Sequence, residues 1–272
     1  MHYAFIGGGN MATSLIGGLR ARGVPAERIT ASDPMPAQRE RLQREFGIEV
    51  TQDNAAAVRG ADTVVLCVKP QDMAEVARGI AADIATRRRV VISIAAGIRV
   101  EDLARWLGPD VPIVRTMPNR PALIGAGITA LHAGDAVEPV ERKTVEDLLG
   151  ACGATVWVDD EALLDVVTAV SGTGPAYFFL LIEMLEAAGI ELGLAPDTAR
   201  RLAVETARGA GRMAAETTES PAQLREEVTS KGGTTAAAMQ VLEGARVRAI
   251  FAEAVAAAAR RSTELARQFG SH

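Results

Sequence analysis

The chain has 272 residues, 48% of them apolar and only 4% aromatic, with a formal net charge of −5. That length suits two modest domains or one large one, and an acidic chain without a long basic run argues against a nucleic-acid partner. Two cysteines, Cys67 and Cys152, without CxxC spacing argue against a disulfide framework and for a reducing compartment.

The start, "MHYAF", lacks a basic n-region and a cleavage site. The longest strongly apolar stretch, "YFFLLIEML", is about half a bilayer span and contains Glu183. A cytoplasmic protein with no membrane partner is expected. Tyr3–Ile6 is a short apolar run ending in glycines, and Met11, Leu15 and Leu19 then recur at helical spacing up to Gly23. Further β-rich runs follow at 28–31, 63–68, 90–95, 112–117 and 127–133, with helical segments such as 36–46 and 72–84 between them. Continuous apolar runs read as strands buried on both faces, and this alternation predicts a doubly wound, mainly parallel α/β sheet. The run 154–159 is the last convincing strand. Pro175, Pro196 and Pro221 can each open a helix, reaching about Gly193 and Ala215 in the first two cases, and a last helix runs through "RAIFAEAVAAAARRSTELARQF". A boundary near residue 160 is expected, with an N-terminal domain 1–160 and an all-helical domain 161–272.

Gly7, Gly9 and Ala12 form GxGxxA between the first strand and the first helix. The first glycine permits a tight turn, the second admits a pyrophosphate to the backbone, and Ala12 allows close packing of helix on strand. Asp33, in "ASDP" at the end of the second strand, falls where an acidic residue bonds the ribose of NAD; a helix cap reads equally well there. "VKP" (68–70) and "AAG" (95–97) end the next two strands, either as further grips on a nucleotide or as plain turns.

The three histidines, His2, His132 and His272, resemble no general base, and no metal motif is present. GxSxG and the Walker pattern are absent as well. A hydride donor acting on a C=N bond fits such a chain, because a protonated imine needs orientation more than proton transfer. "SGTGPAY" (171–177) and "TSKGGTT" (229–235) each set hydroxyls and glycines ahead of a helix, where free N–H groups favour a carboxylate; helix capping is the alternative for both. Hydroxyls at Thr234 or Thr235 can bond a ring nitrogen.

"FIGGGNMA", "VKPQ", "SIAAG", "RTMPNRP", "AVSGTGPAYFF" and, most specifically, "LREEVTSKGGTTAAAM" together resemble the pyrroline-5-carboxylate reductase family over essentially the whole length. The resemblance implies a Rossmann domain, a helical dimerisation domain, a homodimer that assembles further, and NAD(P)H-dependent reduction of 1-pyrroline-5-carboxylate to L-proline. It implies that Gly7, Gly8, Gly9, Asn10, Met11 and Ala12 hold the pyrophosphate and that Asp33 meets the adenine ribose or its phosphate. Asn54, Cys67, Val68, Lys69 and Pro70 match cofactor-contacting positions, and Ala95, Ala96 and Gly97 lie near the nicotinamide. Ser230, Gly232, Gly233, Thr234 and Thr235 match the substrate loop, with Thr235 bonded to the ring nitrogen in the catalytic role, and Ser171, Gly172, Thr173, Gly174 and Pro175 line the same pocket.

The chain departs from the family at Lys231, where Pro is common, and at Arg120, where Thr is common. Lys231 either adds a positive charge near the substrate carboxylate or points to solvent, and Arg120 removes any hydroxyl role. A β-hydroxyacid dehydrogenase is the rival enzyme. Its lysine after the glycine-rich turn is replaced here by Tyr177, Phe178 and Phe179. The other rival is a nucleotide-sensing protein of the same fold without turnover.

Overall fold

The continuous apolar runs of the first half form one eight-stranded sheet in the computed structural model, which describes residues 1–270. Its strands are β1 (Tyr3–Ile6), β2 (Ile29–Ser32), β3 (Glu49–Thr51), β4 (Thr63–Leu66), β5 (Val90–Ser93), β6 (Ile113–Met117), β7 (Gly127–Ala133) and β8 (Gly153–Trp157). They lie in the order β3-β2-β1-β4-β5-β6-β7-β8, and every neighbouring pair is parallel except β6 with β7. This is the doubly wound α/β sheet that the alternating pattern predicts. The strand absent from the sequence reading is β3, a three-residue edge strand too short to show a pattern.

Both faces of the sheet are buried, and successive strand residues point to opposite cores. Phe5, Val65 and Ile92 pack on one face under α1 (Asn10–Ala21), α2 (Pro36–Phe46) and α6 (Pro139–Leu149), with Ala12, Leu15, Leu42 and Leu148 from those helices. Ala4, Ile6, Val64, Leu66 and Val91 face the other core, with Val58, Ile80 and Leu103 from α3 (Asn54–Arg59), α4 (Met73–Ile84) and α5 (Val100–Leu107). After β8 the described chain is helical: α7 (Leu163–Val167), a π-helical turn at Thr168–Gly172, α8 (Gly174–Glu191), α9 (Pro196–Glu216), α10 (Pro221–Glu227), α11 (Thr234–Gly244) and α12 (Val247–Gly270). The proline-opened helices start at or beside the prolines that signal them. The chain forms two compact units, Met1–Thr173 with the stretch from Ala258 onward, and Gly174–Ala257.

Arg89 fastens the amino-terminal side of the sheet. It is 3% exposed, and its guanidinium donates to the carbonyls of Arg59, Ala61, Asp83, Ile84 and Arg87 and to Thr86 Oγ1. It thus neutralises carbonyls at the carboxyl ends of α3 and α4, where a cation is favoured. Arg89→Met keeps the apolar stem and strands those acceptors out of water. It is expected to lower stability in chemical denaturation by about 3–5 kcal/mol, since each buried unpaired acceptor costs about 1–3 kcal/mol. A loss under about 1 kcal/mol would mean that water replaces the guanidinium.

Candidate active site

Strand register lines up the sequence-predicted nucleotide residues. Ile6 pairs with Ser32 and with Leu66, and Leu66 pairs with Ser93. Gly7, Asp33, Cys67 and Ile94 therefore leave the sheet at the same level, outside its carboxyl ends. Backbone bonds extend one step past the strands, from Gly7 N–H to Ser32 O at 2.8 Å and from Cys67 N–H to Ile6 O at 2.7 Å. The strand order reverses between β1 and β4, which is the switch point where such sheets bind ligands.

The glycine turn has the shape a dinucleotide needs. Gly7 has φ +100°, and a Cβ there would stand 2.7 Å from Cys67 O, so only glycine fits. At Gly9 a Cβ would meet nothing within 4 Å, which leaves open space in front of the α1 amino terminus. Gly9 is the N-cap of α1 and provides no side-chain cap, so the N–H groups of Asn10, Met11 and Ala12 face that space at the positive end of the helix. Ala12 is fully buried against the sheet. These residues fit a pyrophosphate.

Asp33 follows β2 directly, beside the glycine turn. Its Oδ2 accepts from Gly8 N–H at 2.7 Å and its Oδ1 from Met35 N–H at 2.8 Å, so it braces the glycine turn. The N-cap of α2 is Met35, not Asp33. Asn54 opens α3, and its Oδ1 accepts from Ser32 Oγ at 2.7 Å, which aims the carboxamide along the strand ends. Cys67 and Val68 follow β4, Lys69 is exposed, and Pro70 starts a short 3₁₀ turn. Burial pushes the Cys67 thiol well above its usual range, so it stays neutral at physiological pH. Ala95, Ala96 and Gly97 follow β5, and Gly97 has φ +78°. A Cβ on Gly97 would stand 3.1 Å from Phe269 Cδ2, because the end of α12 packs on this turn.

The stretch Ser171–Pro175 leaves the π-helical turn. Ser171 Oγ donates to Val167 O at 3.1 Å and Thr173 Oγ1 to Thr168 O at 3.0 Å, so both hydroxyl protons serve the backbone. Gly172 lies where a Cβ would approach Met117 Cε to 2.5 Å, while Gly174 and Pro175 begin α8. Asn119, whose role the sequence reading did not assign, is buried beside them. Its Nδ2 donates to Ser171 O at 3.2 Å and its Oδ1 accepts from Ile128 N–H at 3.0 Å. It bridges the turn to β7, with Ser171 fifty-two residues and Ile128 nine residues away in the chain.

Residues 230–235 make a tight turn into α11. Gly233 N–H donates to Ser230 O at 3.0 Å, and Gly232 has φ +73°. A glycine with positive φ in the third position is what a type II turn requires. Lys231 then occupies the second position, where such turns favour proline; the sequence departure here is a turn residue with an exposed side chain. A Cβ on Gly233 would stand 2.5 Å from Ser230 Oγ. Gly233 is the N-cap of α11 without a side-chain cap, leaving the N–H groups of Thr234 and Thr235 for an anion. Among the described residues, the hydroxyls of Thr234 and Thr235 have no hydrogen-bond partner. Of the histidines, His132 Nδ1 lies 3.1 Å from Val158 O and His2 Nε2 lies 2.7 Å from Arg28 Nη1; His272 lies outside the described residues.

A family model described as pyrroline-5-carboxylate reductase dimerisation matches residues 161–265, and one described as NADP oxidoreductase, coenzyme F420-dependent, matches residues 2–97. A pyrroline-5-carboxylate reductase of Pseudomonas aeruginosa is 49% identical over 267 residues, covering 98% of this chain and 97% of the relative. The chain belongs to the pyrroline-5-carboxylate reductases. The solved reductase of Coxiella burnetii superposes with a TM-score of 0.94 at 39% identity, covering 97% of this chain and 98% of the other. That of Plasmodium falciparum, with NADP bound, gives 0.86 at 28% identity and covers 98% of each chain. In this reductase the dimerisation region begins at Glu161, four residues after the end of β8 at Trp157. It includes the apolar residues Phe178, Phe179, Leu181 and Leu185, all exposed on α8.

Proposed function

We infer that this chain reduces 1-pyrroline-5-carboxylate to L-proline, the last step of proline biosynthesis, with NADPH or NADH as co-substrate. Full-length likeness to curated reductases carries the reading. The glycine turn Gly7–Ala12 supports it from the geometry, since it pairs an obligatory glycine at Gly7 with open space at Gly9.

When bound, NAD(P)H supplies the hydride. The α1 amino terminus holds its pyrophosphate, Asp33 and Asn54 take the adenosine ribose, Cys67 to Pro70 border the chain of the nucleotide, and Ala95 to Gly97 back the nicotinamide. The N–H groups at the start of α11 take the substrate carboxylate. The Thr235 hydroxyl bonds the ring nitrogen and fixes the face that the imine carbon presents. Ser171 to Pro175 line the same pocket and exclude water, held by Asn119. Residues 1–160 serve the nucleotide, and residues 161–272 serve the substrate and the dimer; the end of β8 at Trp157 and the family region from residue 161 support that division.

The helical run Leu163–Glu191 is long and apolar enough to cross a membrane by length and composition alone. It lies wholly inside the dimerisation region and carries Glu183 and Glu186, so a second copy of the chain, not lipid, covers its apolar face. The protein works in the cytoplasm as a homodimer that assembles into a larger homo-oligomer, without nucleic acid.

The test is NAD(P)H oxidation with pyrroline-5-carboxylate against a panel of β-hydroxyacids. Turnover of the imine alone is expected. Turnover of a hydroxyacid, or none at all, would favour the dehydrogenase or the sensor instead. In the same assay NADH should serve at least comparably to NADPH, because the Asp33 carboxylate accepts from a 2′-hydroxyl and repels a phosphate. Asp33→Ser should shift the ratio toward NADPH; an unshifted ratio would leave Asp33 as a brace only.

A further inference from the structure

Two arginines on α2, Arg39 and Arg41, reach back to the strand ends. Arg41 Nη2 donates to Gly8 O at 3.0 Å and to Thr13 Oγ1 at 2.7 Å. Arg39 Nη1 donates to Asp33 O at 2.6 Å and to Pro34 O at 3.0 Å. Both cations therefore sit on the turns after β1 and β2, beside the carboxylate that braces Gly8.

Several arginines of this acidic chain are paired with carboxylates, and these two are not. Arg59, Arg87, Arg88, Arg105 and Arg115 each have a carboxylate partner. Among the described residues, neither Arg39 nor Arg41 has a carboxylate oxygen within 4.0 Å. Arg41 Nε is buried and donates to nothing, and Nη1 has no partner among the described residues. The Nε is sealed inside the protein, so Nη1 is the donor that an anion at the rim of the open glycine turn can reach. The planar guanidinium fork suits phosphate better than a hydroxyl.

We propose that Arg41, with Arg39 beside it, is the specificity-determining cation that receives the 2′-phosphate of NADPH. The proposal rests on the nucleotide reading above and refines it. Asp33 spends one lone pair on each of two backbone N–H groups and keeps others for the 2′-hydroxyl of NADH. The same strand end thus carries an acceptor suited to one nucleotide and a donor suited to the other. The chain takes both, and the Arg41 side chain sets how much the phosphate adds.

Calorimetric titration with NADP⁺ and with NAD⁺, without imine, separates the two. Arg41→Met should raise the Kd for NADP⁺ by about ten- to a hundredfold, the range for one charge-assisted bond, and that for NAD⁺ by less than about twofold. Arg41→Lys keeps the charge and should recover most of the NADP⁺ affinity, whereas a side chain that only shapes the turn would not be rescued selectively. Added salt should narrow the gap between wild type and Arg41→Met for NADP⁺. An unchanged NADP⁺ Kd, or equal losses for both nucleotides, overturns the proposal while leaving the nucleotide site in place. Wild-type protein that binds neither nucleotide overturns both.

Discussion

Thr235→Val should lower kcat/KM for pyrroline-5-carboxylate by about ten- to a hundredfold, because a hydrogen bond to a charged group is worth about 1.5–3 kcal/mol. The substitution keeps the shape and removes one hydroxyl. That hydroxyl stabilises nothing in the described protein, since Thr235 is the second residue of α11 and the helix is capped by Gly233 without a side-chain bond. The mutant should therefore fold normally, and its Kd for NADP⁺ should match the wild type. A wild-type kcat/KM in a folded mutant would remove Thr235 from the chemistry and leave the backbone N–H groups of α11 as the only anchor.

The elements with strong local signals were legible in the sequence. Tyr3–Ile6 and Gly127–Ala133 match their apolar runs residue for residue, and Pro196 and Pro221 each stand at the first position of a helix. Such features depend on neighbours a few residues away. What stayed hidden depends on distant partners. The π-helical turn at Thr168–Gly172 has no periodicity of its own, and Met117 at the end of β6 and Asn119 just beyond it meet it from a distant part of the chain. Arg41 reads as one of several charges on a polar helix until folding brings Gly8 and Thr13 to it across thirty-three and twenty-eight residues. Asp33 shows the limit from the other side. Its motif announced an acid at a strand end, but only the fold reveals that both oxygens brace the backbone. The loop 230–235 was legible as a tight turn before a helix because its signal is local: Gly232 takes a positive φ and Gly233 caps α11.

The last prediction concerns how nucleotide and substrate meet. The nucleotide residues lie in one compact unit, and loop 230–235 lies in the other. Apolar side chains stay exposed on α8 and α12, including Phe178, Phe179, Leu181, Ile250 and Phe251, in a region matched to reductase dimerisation. The family resemblance implies a dimer in which each site joins Gly9 of one subunit to Thr235 of its partner. Two mutants test this. Gly9→Val should abolish nucleotide binding without harming the fold, because Gly9 has φ −70° and a Cβ there meets nothing within 4 Å. Gly7 would be the wrong choice, since its Cβ would strike Cys67 O. Thr235→Val weakens the substrate loop. When the two mutants are unfolded and refolded together in equal amounts, half the dimers are mixed. In a shared site each mixed dimer carries one wild-type site and one doubly defective one, so about a quarter of wild-type activity should return by counting sites in a two-fold dimer. Further assembly into larger oligomers leaves that count unchanged, because sites are counted per dimer. If each site instead belongs to a single subunit, no intact site forms, and activity stays at the mean of the two mutants. That mean, with mixed dimers verified by mass spectrometry of differently tagged chains, would rule the shared site out.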